Sequence, residues 1–151
     1  MPECSTTVRH YRQSNPGACL QACVKMVLAA MGDDFSEERL AAWLGSYEFG
    51  TPASRVTRLR RWGYRVEFGL ATIDDLRTQL QLGWHPIVFV RADLLPWADF
   101  GGFHALVVGE VTENTVYVFD PVLDDGPTAL SLDGLLLAWE EFDRLAAIIS
   151  K

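Results

Sequence analysis

The chain has little cysteine: three residues in 151, Cys4, Cys19 and Cys23, an odd and sparse set. That excludes the disulfide framework of a small secreted domain and fits a reducing compartment, where a thiol stays free to react. A surplus of positive charge is also missing. Thirteen Lys and Arg against twenty Asp and Glu leave a formal charge of −7, which argues against nucleic acid or an anionic membrane as the main partner. No apolar run reaches the roughly 18 residues of a membrane span. The N-terminus lacks the basic region and apolar stretch of a secretory signal, so the cytoplasm is the expected compartment. Internal repeats and low-complexity segments are absent too. Apolar residues make up 49% and charged residues 22%, ordinary values for one globular domain over residues 1–151 with a core of its own.

What is present reads as helices first and strands second. From Cys19 the apolar residues Ala22, Cys23, Met26, Val27 and Ala30 recur at helical spacing, with Gly32 as terminator and the turn residues Asn15-Pro16-Gly17 ahead. Ser36 caps a second helix that stops at Gly45. Pro52 opens a third, running through Arg61 to Gly63. A strand from Tyr64 to Phe68 follows, then a helix capped by Thr72 and running to about Leu82. Strands are expected at Pro86–Val90, Phe103–Val111, Thr115–Phe119 and Leu145–Ile149, with a helical stretch near Leu132–Trp139. The class is α+β, with N-terminal helices packed on an antiparallel sheet. The arginines at 55, 58, 60, 61 and 65 read as a solvated helix face.

Three segments then combine into one chemical possibility: Gln13-Ser-Asn-Pro-Gly-Ala-Cys19, Gly102-Phe-His104 and Phe119-Asp120-Pro121. A free thiol is mostly protonated at neutral pH. The first turn of a helix favours the thiolate, because its unpaired backbone N–H groups and the helix dipole attract negative charge. Cys19 is placed there. A histidine in contact completes a thiol nucleophile by taking its proton and later giving it to the leaving group. His10 lies near the start of the chain and His85 at a strand entrance, whereas His104 opens a long, buried-looking strand. Asp120 would accept the other imidazole N–H and fix the ring.

The pairing of the two strands decides whether this works. A three-residue loop at Thr112-Glu113-Asn114 sets Leu106 opposite Asp120, so His104 and Asp120 become diagonal neighbours on one face, with Cα atoms roughly 7–8 Å apart. A two-residue loop sets them on opposite faces unless a bulge intervenes. The triad therefore requires a three-residue loop or a bulge. Gln13, with the Cys19 backbone N–H, is a candidate oxyanion hole. Gly101-Gly102 would let a substrate backbone approach closely. The apolar segment Leu94–Phe100 reads as a pocket wall or a flap, which makes Trp97, Gly102 and Phe103 candidate substrate contacts.

The stretch Gln13-x5-Cys19-x3-Cys23-x2-Met26-Val27-Leu28-x3-Gly32 resembles the peptidase C39-like group of bacterial cysteine peptidases, as do Gly50-Thr51, the run at 83–88, the His104 strand and Asp120-Pro121. The likeness covers nearly the whole chain. It implies a papain-like fold with Cys19 as nucleophile, His104 as base, Asp120 as orienter and Gln13 in the oxyanion hole, acting on a peptide or protein substrate without a cofactor. The best-understood members are fused to peptide exporters and cut leader peptides after Gly-Gly; these 151 residues carry no membrane or ATP-binding part, so that role is not expected to transfer. It also departs from the pattern at Leu20, where many members carry glycine, and a leucine there is expected to narrow the cleft or change substrate choice.

Other readings compete. Cys23 falls one turn after Cys19 and reads as a buried structural thiol; a metal site would recruit Cys19, Cys23, His104 and Cys4, but no compact Cys/His pattern accompanies them. Asp124-Asp125-Gly126 is a turn. The same triad would also serve an acyl- or amide-transferase in which an amine or alcohol replaces water, and the fold without the chemistry would be a binding protein.

Overall fold

The computed structural model describes residues 7–47 and 50–151. Helix α1 spans Cys19–Ala30 and α2 Glu37–Leu44. After them come a 3₁₀ helix over Ala53–Trp62, strand β1 (Arg65–Leu70), α3 (Ile73–Gln81) and β2 (Ile87–Arg91). A 3₁₀ turn at Ala92–Leu94 leads to β3 (Phe103–Val111), β4 (Thr115–Phe119), β5 (Thr128–Ser131), α4 (Leu132–Glu140) and β6 (Leu145–Ser150). The strands form one sheet in the order β1-β6-β2-β3-β4-β5, antiparallel at every pairing.

The local chemistry explains most boundaries. Ser36 accepts a hydrogen bond from the Arg39 backbone N–H, and Gly45 closes α2 in the left-handed conformation that glycine adopts without strain. Thr72 and Asp75 form a reciprocal capping box at the start of α3. The segment opened by Pro52 is helical but winds as tighter 3₁₀ turns. Its buried residues Ala53, Val56 and Leu59 recur every third position, which is the stacked edge of a three-residue turn. The arginines on it are more than a solvated face. Arg55 donates to the Leu44 and Gly45 carbonyls at the end of α2, where a cation also meets the negative end of the helix dipole, and Arg60 donates to the Val66 carbonyl.

The sheet is covered on both faces. Ile87, Phe89, Ala105, Val107 and Phe119 face a core shared with α1, α2 and the longer 3₁₀ helix. Val88, Val90, Leu106, Val108 and Val118 face a second core with Leu76 of α3 and Leu135, Ala138 and Trp139 of α4. Burial on both sides is why β2 is apolar without alternation. Helix α1 packs on β3 and is buried along nearly all its length.

The turn between β3 and β4 is the tighter of the two possibilities. Thr112 N–H donates to the Thr115 carbonyl at 2.8 Å, closing a two-residue loop at Glu113-Asn114. By parity that loop would set His104 and Asp120 on opposite faces. The register then shifts between Val108 and Glu110, so that Val111 pairs with Val116 but Val107 pairs with Phe119. The extra residue is Gly109, and this bulge returns Asp120 to the position opposite Leu106, on the same face as His104.

Candidate active site

Helix α1 starts differently from the other three α-helices. Helices α2, α3 and α4 each begin on a Ser or Thr whose side chain accepts a backbone N–H, and each has an acid in the first turn. Helix α1 begins on Ala18, with no capping side chain and no acid. Its first N–H groups and the positive end of its dipole are left facing a cleft. Cys19 is the first helical residue and is 8% exposed. The turn before it holds because Ala18 N–H donates to the Asn15 carbonyl and Gly17 takes a φ of 84°, a left-handed conformation that a side chain would resist.

His104, the second residue of β3, is buried and paired across the sheet with Val90. Its Nε2 lies 2.6 Å from Asp120 Oδ1, and the Cys19 thiol hydrogen-bonds the same ring, which leaves Nδ1 as the nitrogen for sulfur. Burial alone would drive the ring to its neutral form; the hydrogen bonds and charges of Asp120 and Cys19 outweigh it and raise the His104 pKa from 6.5 to about 9. Asp120 is only 1% exposed. Burial favours its protonated form, yet His104, the Trp97 indole N–H and the Val122 backbone N–H together hold its pKa below the usual carboxylate value. The Val122 N–H donates to Oδ1 at 3.0 Å and the Trp97 Nε1–H to Oδ2 at 2.8 Å.

Cys19 and His104 open on a cleft of about 700 Å³ whose walls include Gln13, Asn15, Gly50, Thr51, Phe100, Gly101 and Phe103. Gln13 stands at this rim. Its Nε2–H donates to the Asn15 carbonyl at 2.8 Å, while its buried Oε1 has no hydrogen-bond partner among the described residues. The strap that carries Gln13 is pinned twice. Its backbone N–H donates to the Pro121 carbonyl, one residue beyond Asp120. The buried Glu37 accepts from the Tyr11 hydroxyl at 2.6 Å and the Ser14 backbone N–H at 3.3 Å; burial and this carboxylate push the Tyr11 pKa up to about 12. On the opposite wall, Gln21 of α1 accepts from the Ser46 and Thr51 hydroxyls.

The structure brings Cys19, His104, Asp120, Gln13 and Phe103 together and separates three other candidates from the cleft. Leu20 is fully buried in the core between α1 and the sheet, and the helix turns it away from the cleft. Gly102 shapes the turn before β3, with φ 90° and its carbonyl accepting from Ala92 N–H, and Gly101 beside it lines the wall instead. Trp97 does not line the cleft; its N–H is spent on Asp120. The residues missed from sequence are Glu37 and Tyr11, which hold the Gln13 strap. Phe100, the end of the apolar segment expected to wall the pocket, does line the cleft, and its ring meets His104 edge-on at 5.1 Å. Cys23 is a fully buried thiol whose pKa burial raises well above the usual value, with Cys19 and Asp120 adding to the effect. Cys4 lies outside the described residues, among which no group of three or more His, Cys, Asp or Glu is arranged to hold a metal. None of the helices among them is long and apolar enough to cross a membrane.

The sequence profile of the Peptidase_C39 like family matches residues 5–147. The chain belongs to this family. No curated protein matches it by sequence, but solved structures share the C39-like fold. The peptidase domain of Streptococcus ComA, a bi-functional ABC transporter of a quorum-sensing pathway, superimposes with a TM-score of 0.77 at 20% identity, covering 95% of this chain and 98% of that one. A C39-like peptidase from Bacillus anthracis gives 0.77 at 14% identity over 96% of each. A double-glycine-motif protease from an AMS/PCAT transporter, solved with its leader peptide, gives 0.64 at 18% identity over 95% of this chain and 91% of that one.

Proposed function

We propose that this member of the C39-like family is a cysteine peptidase that cleaves peptide bonds through a Cys19 thioester. The observation that carries the reading is the Cys19–His104–Asp120 line of hydrogen bonds at an uncapped helix start, open to a cleft. The Cys19 thiolate attacks the scissile carbonyl carbon while His104 is the imidazolium. The carbonyl oxygen becomes an oxyanion that accepts from the Cys19 backbone N–H and from Gln13 Nε2, once that amide leaves the Asn15 carbonyl. The C–N bond then breaks as His104 protonates the leaving amine, and the acyl group stays on Sγ as a thioester. Water enters, His104 takes its proton, and the C–S bond breaks to release the acid. Asp120 holds the ring throughout.

The cleft of about 700 Å³, lined by residues 13–17, 50–51, 100, 101 and 103, supports a peptide as the substrate class. It suits an extended peptide, and the leader peptide held by the AMS/PCAT protease supports that class. The test is a mixed peptide set incubated with wild type and Cys19→Ala, with products read by mass spectrometry. Hydroxylamine in the mixture should trap the acyl group as a hydroxamate. New termini and hydroxamates that vanish in Cys19→Ala are expected. Cleavage that persists in the variant would sink the proposal.

A further inference from the structure

The Asp120 carboxylate is held by groups from two directions. Oδ1 accepts from His104 and from the Val122 backbone N–H, while Oδ2 accepts from Trp97 at 2.8 Å. A carboxylate turns easily about its last torsion, and at 1% exposure no bulk water stands ready to replace a lost donor. With Oδ2 unpaired, a buried anionic oxygen would bear the cost of desolvation, and the group would be free to rotate out of the plane of the imidazole.

Trp97 is presented from a short loop whose roots are tied down. Ala92 N–H donates to the Gly102 carbonyl across its base, and Leu95 is buried in the core beneath it. Asp93 accepts from Gly102 backbone and from Arg91 Nε, the latter at 2.9 Å. Phe100 of the same loop lies edge-on to His104. One loop thus touches both members of the His104–Asp120 pair. An indole N–H can donate but neither accepts nor titrates in the working range, so the contact points one way at every pH and is compatible only with Asp120 as acceptor.

We infer that Trp97 is a positioning residue: its indole N–H fixes the Asp120 carboxylate so that the other oxygen stays aligned with His104. This rests on the reading of Cys19, His104 and Asp120 as the reacting group. Trp97 does not line the cleft and acts through Asp120. The titratable groups that face Asp120 are His104 from β3 and Cys23 from α1, with Cys19 beyond His104. Cys23 stays a neutral thiol, so it adds nothing to the acid response of the pair.

The experiment follows iodoacetamide labelling of Cys19 in the full chain from pH 2.5 to 9, by peptide mapping, in wild type, Trp97→Phe and Trp62→Phe. Trp62 stacks on Trp43 on the surface at 4.3 Å and serves as a tryptophan whose loss costs packing only. Trp97→Phe should move the acid limb of the labelling profile up by about one pH unit, the size of one hydrogen bond to a charged group. The sign follows because losing a donor lets Asp120 protonate earlier on acidification, and the imidazolium then loses its partner. In peptide cleavage kcat should fall with KM unchanged. Trp62→Phe should leave the limb in place. If Trp97→Phe does not fold, 3-benzothienylalanine at position 97 keeps the shape and replaces the N–H by sulfur. A limb that coincides with wild type in either position-97 variant overturns the inference, whatever the melting temperature does. Wild type with no fast acid-side labelling to begin with would instead overturn the underlying reading of the trio.

Discussion

Replacing Asp120 by asparagine keeps the shape of the side chain and removes its charge. In the wild type, burial of His104 works against the imidazolium, and the two partners reverse that, from 6.5 to about 9. The gap is worth about 3 kcal/mol of preference for the charged ring. A raised value in the folded state means the stabilisation is complete below pH 6.5, and fades as the pH rises through about 9. In Asp120→Asn one of the two raising partners is gone, while the burial and the Cys19 contact remain. A lost hydrogen bond to a charged group, about 1.5–3 kcal/mol, lowers the ring's titration by about one to two pH units, and at pH 8 the protonated fraction would fall from about 90% to about 10–50%. The assay is an NMR titration of isotope-labelled histidine. His85 gives an internal reference: burial lowers its pKa, only partly offset by the Val108 carbonyl, and it should titrate on the acid side in both proteins. A variant His104 that still titrates near 9, or a wild-type His104 near 6.5, would refute the claim that Asp120 sets the charge of the ring.

Two further outcomes follow from the geometry. Gln13→Ala should lower kcat for peptide cleavage by about 10²–10³ with little change in KM, the signature of a lost oxyanion donor; steady-state kinetics on one cleaved peptide reads it directly. Trp139→Ala should cost about 3–5 kcal/mol in urea unfolding, because Trp139 is fully buried and its indole N–H holds the Leu145 carbonyl at 2.8 Å.

Much of this was legible from residue order because the signals were local. Ser36 and Gly45 bound α2 through their own chemistry, and Thr72 does the same for α3. The 53–62 segment was readable as helix but not as 3₁₀, since periods of 3 and 3.6 barely separate over ten residues. Strand β5 was missed: four residues with one buried side chain carry no pattern. The placement of β6 between β1 and β2 is a non-local pairing that leaves no mark in either strand.

The site divides in the same way. Cys19, His104 and Asp120 could be picked out by element and order, and their parity demanded a three-residue loop or a bulge; Gly109 is that bulge. Leu20 was misplaced because adjacency to Cys19 in sequence says nothing about which side of a helix faces the cleft. Trp97 was read as a wall because its apolar neighbours are visible in sequence, whereas its bond to Asp120 depends on how the loop returns over the strand ends.

The most direct test of the account is iodoacetamide labelling of Cys19 between pH 4 and 9 in wild type and His104→Ala, with the modified residue located by peptide mapping. Fast labelling on the acid side that disappears in the variant is the result the account predicts, since the thiolate would then depend on its imidazolium partner. Labelling that rises only near pH 8.5, as for an ordinary thiol, and is the same in both proteins would contradict it.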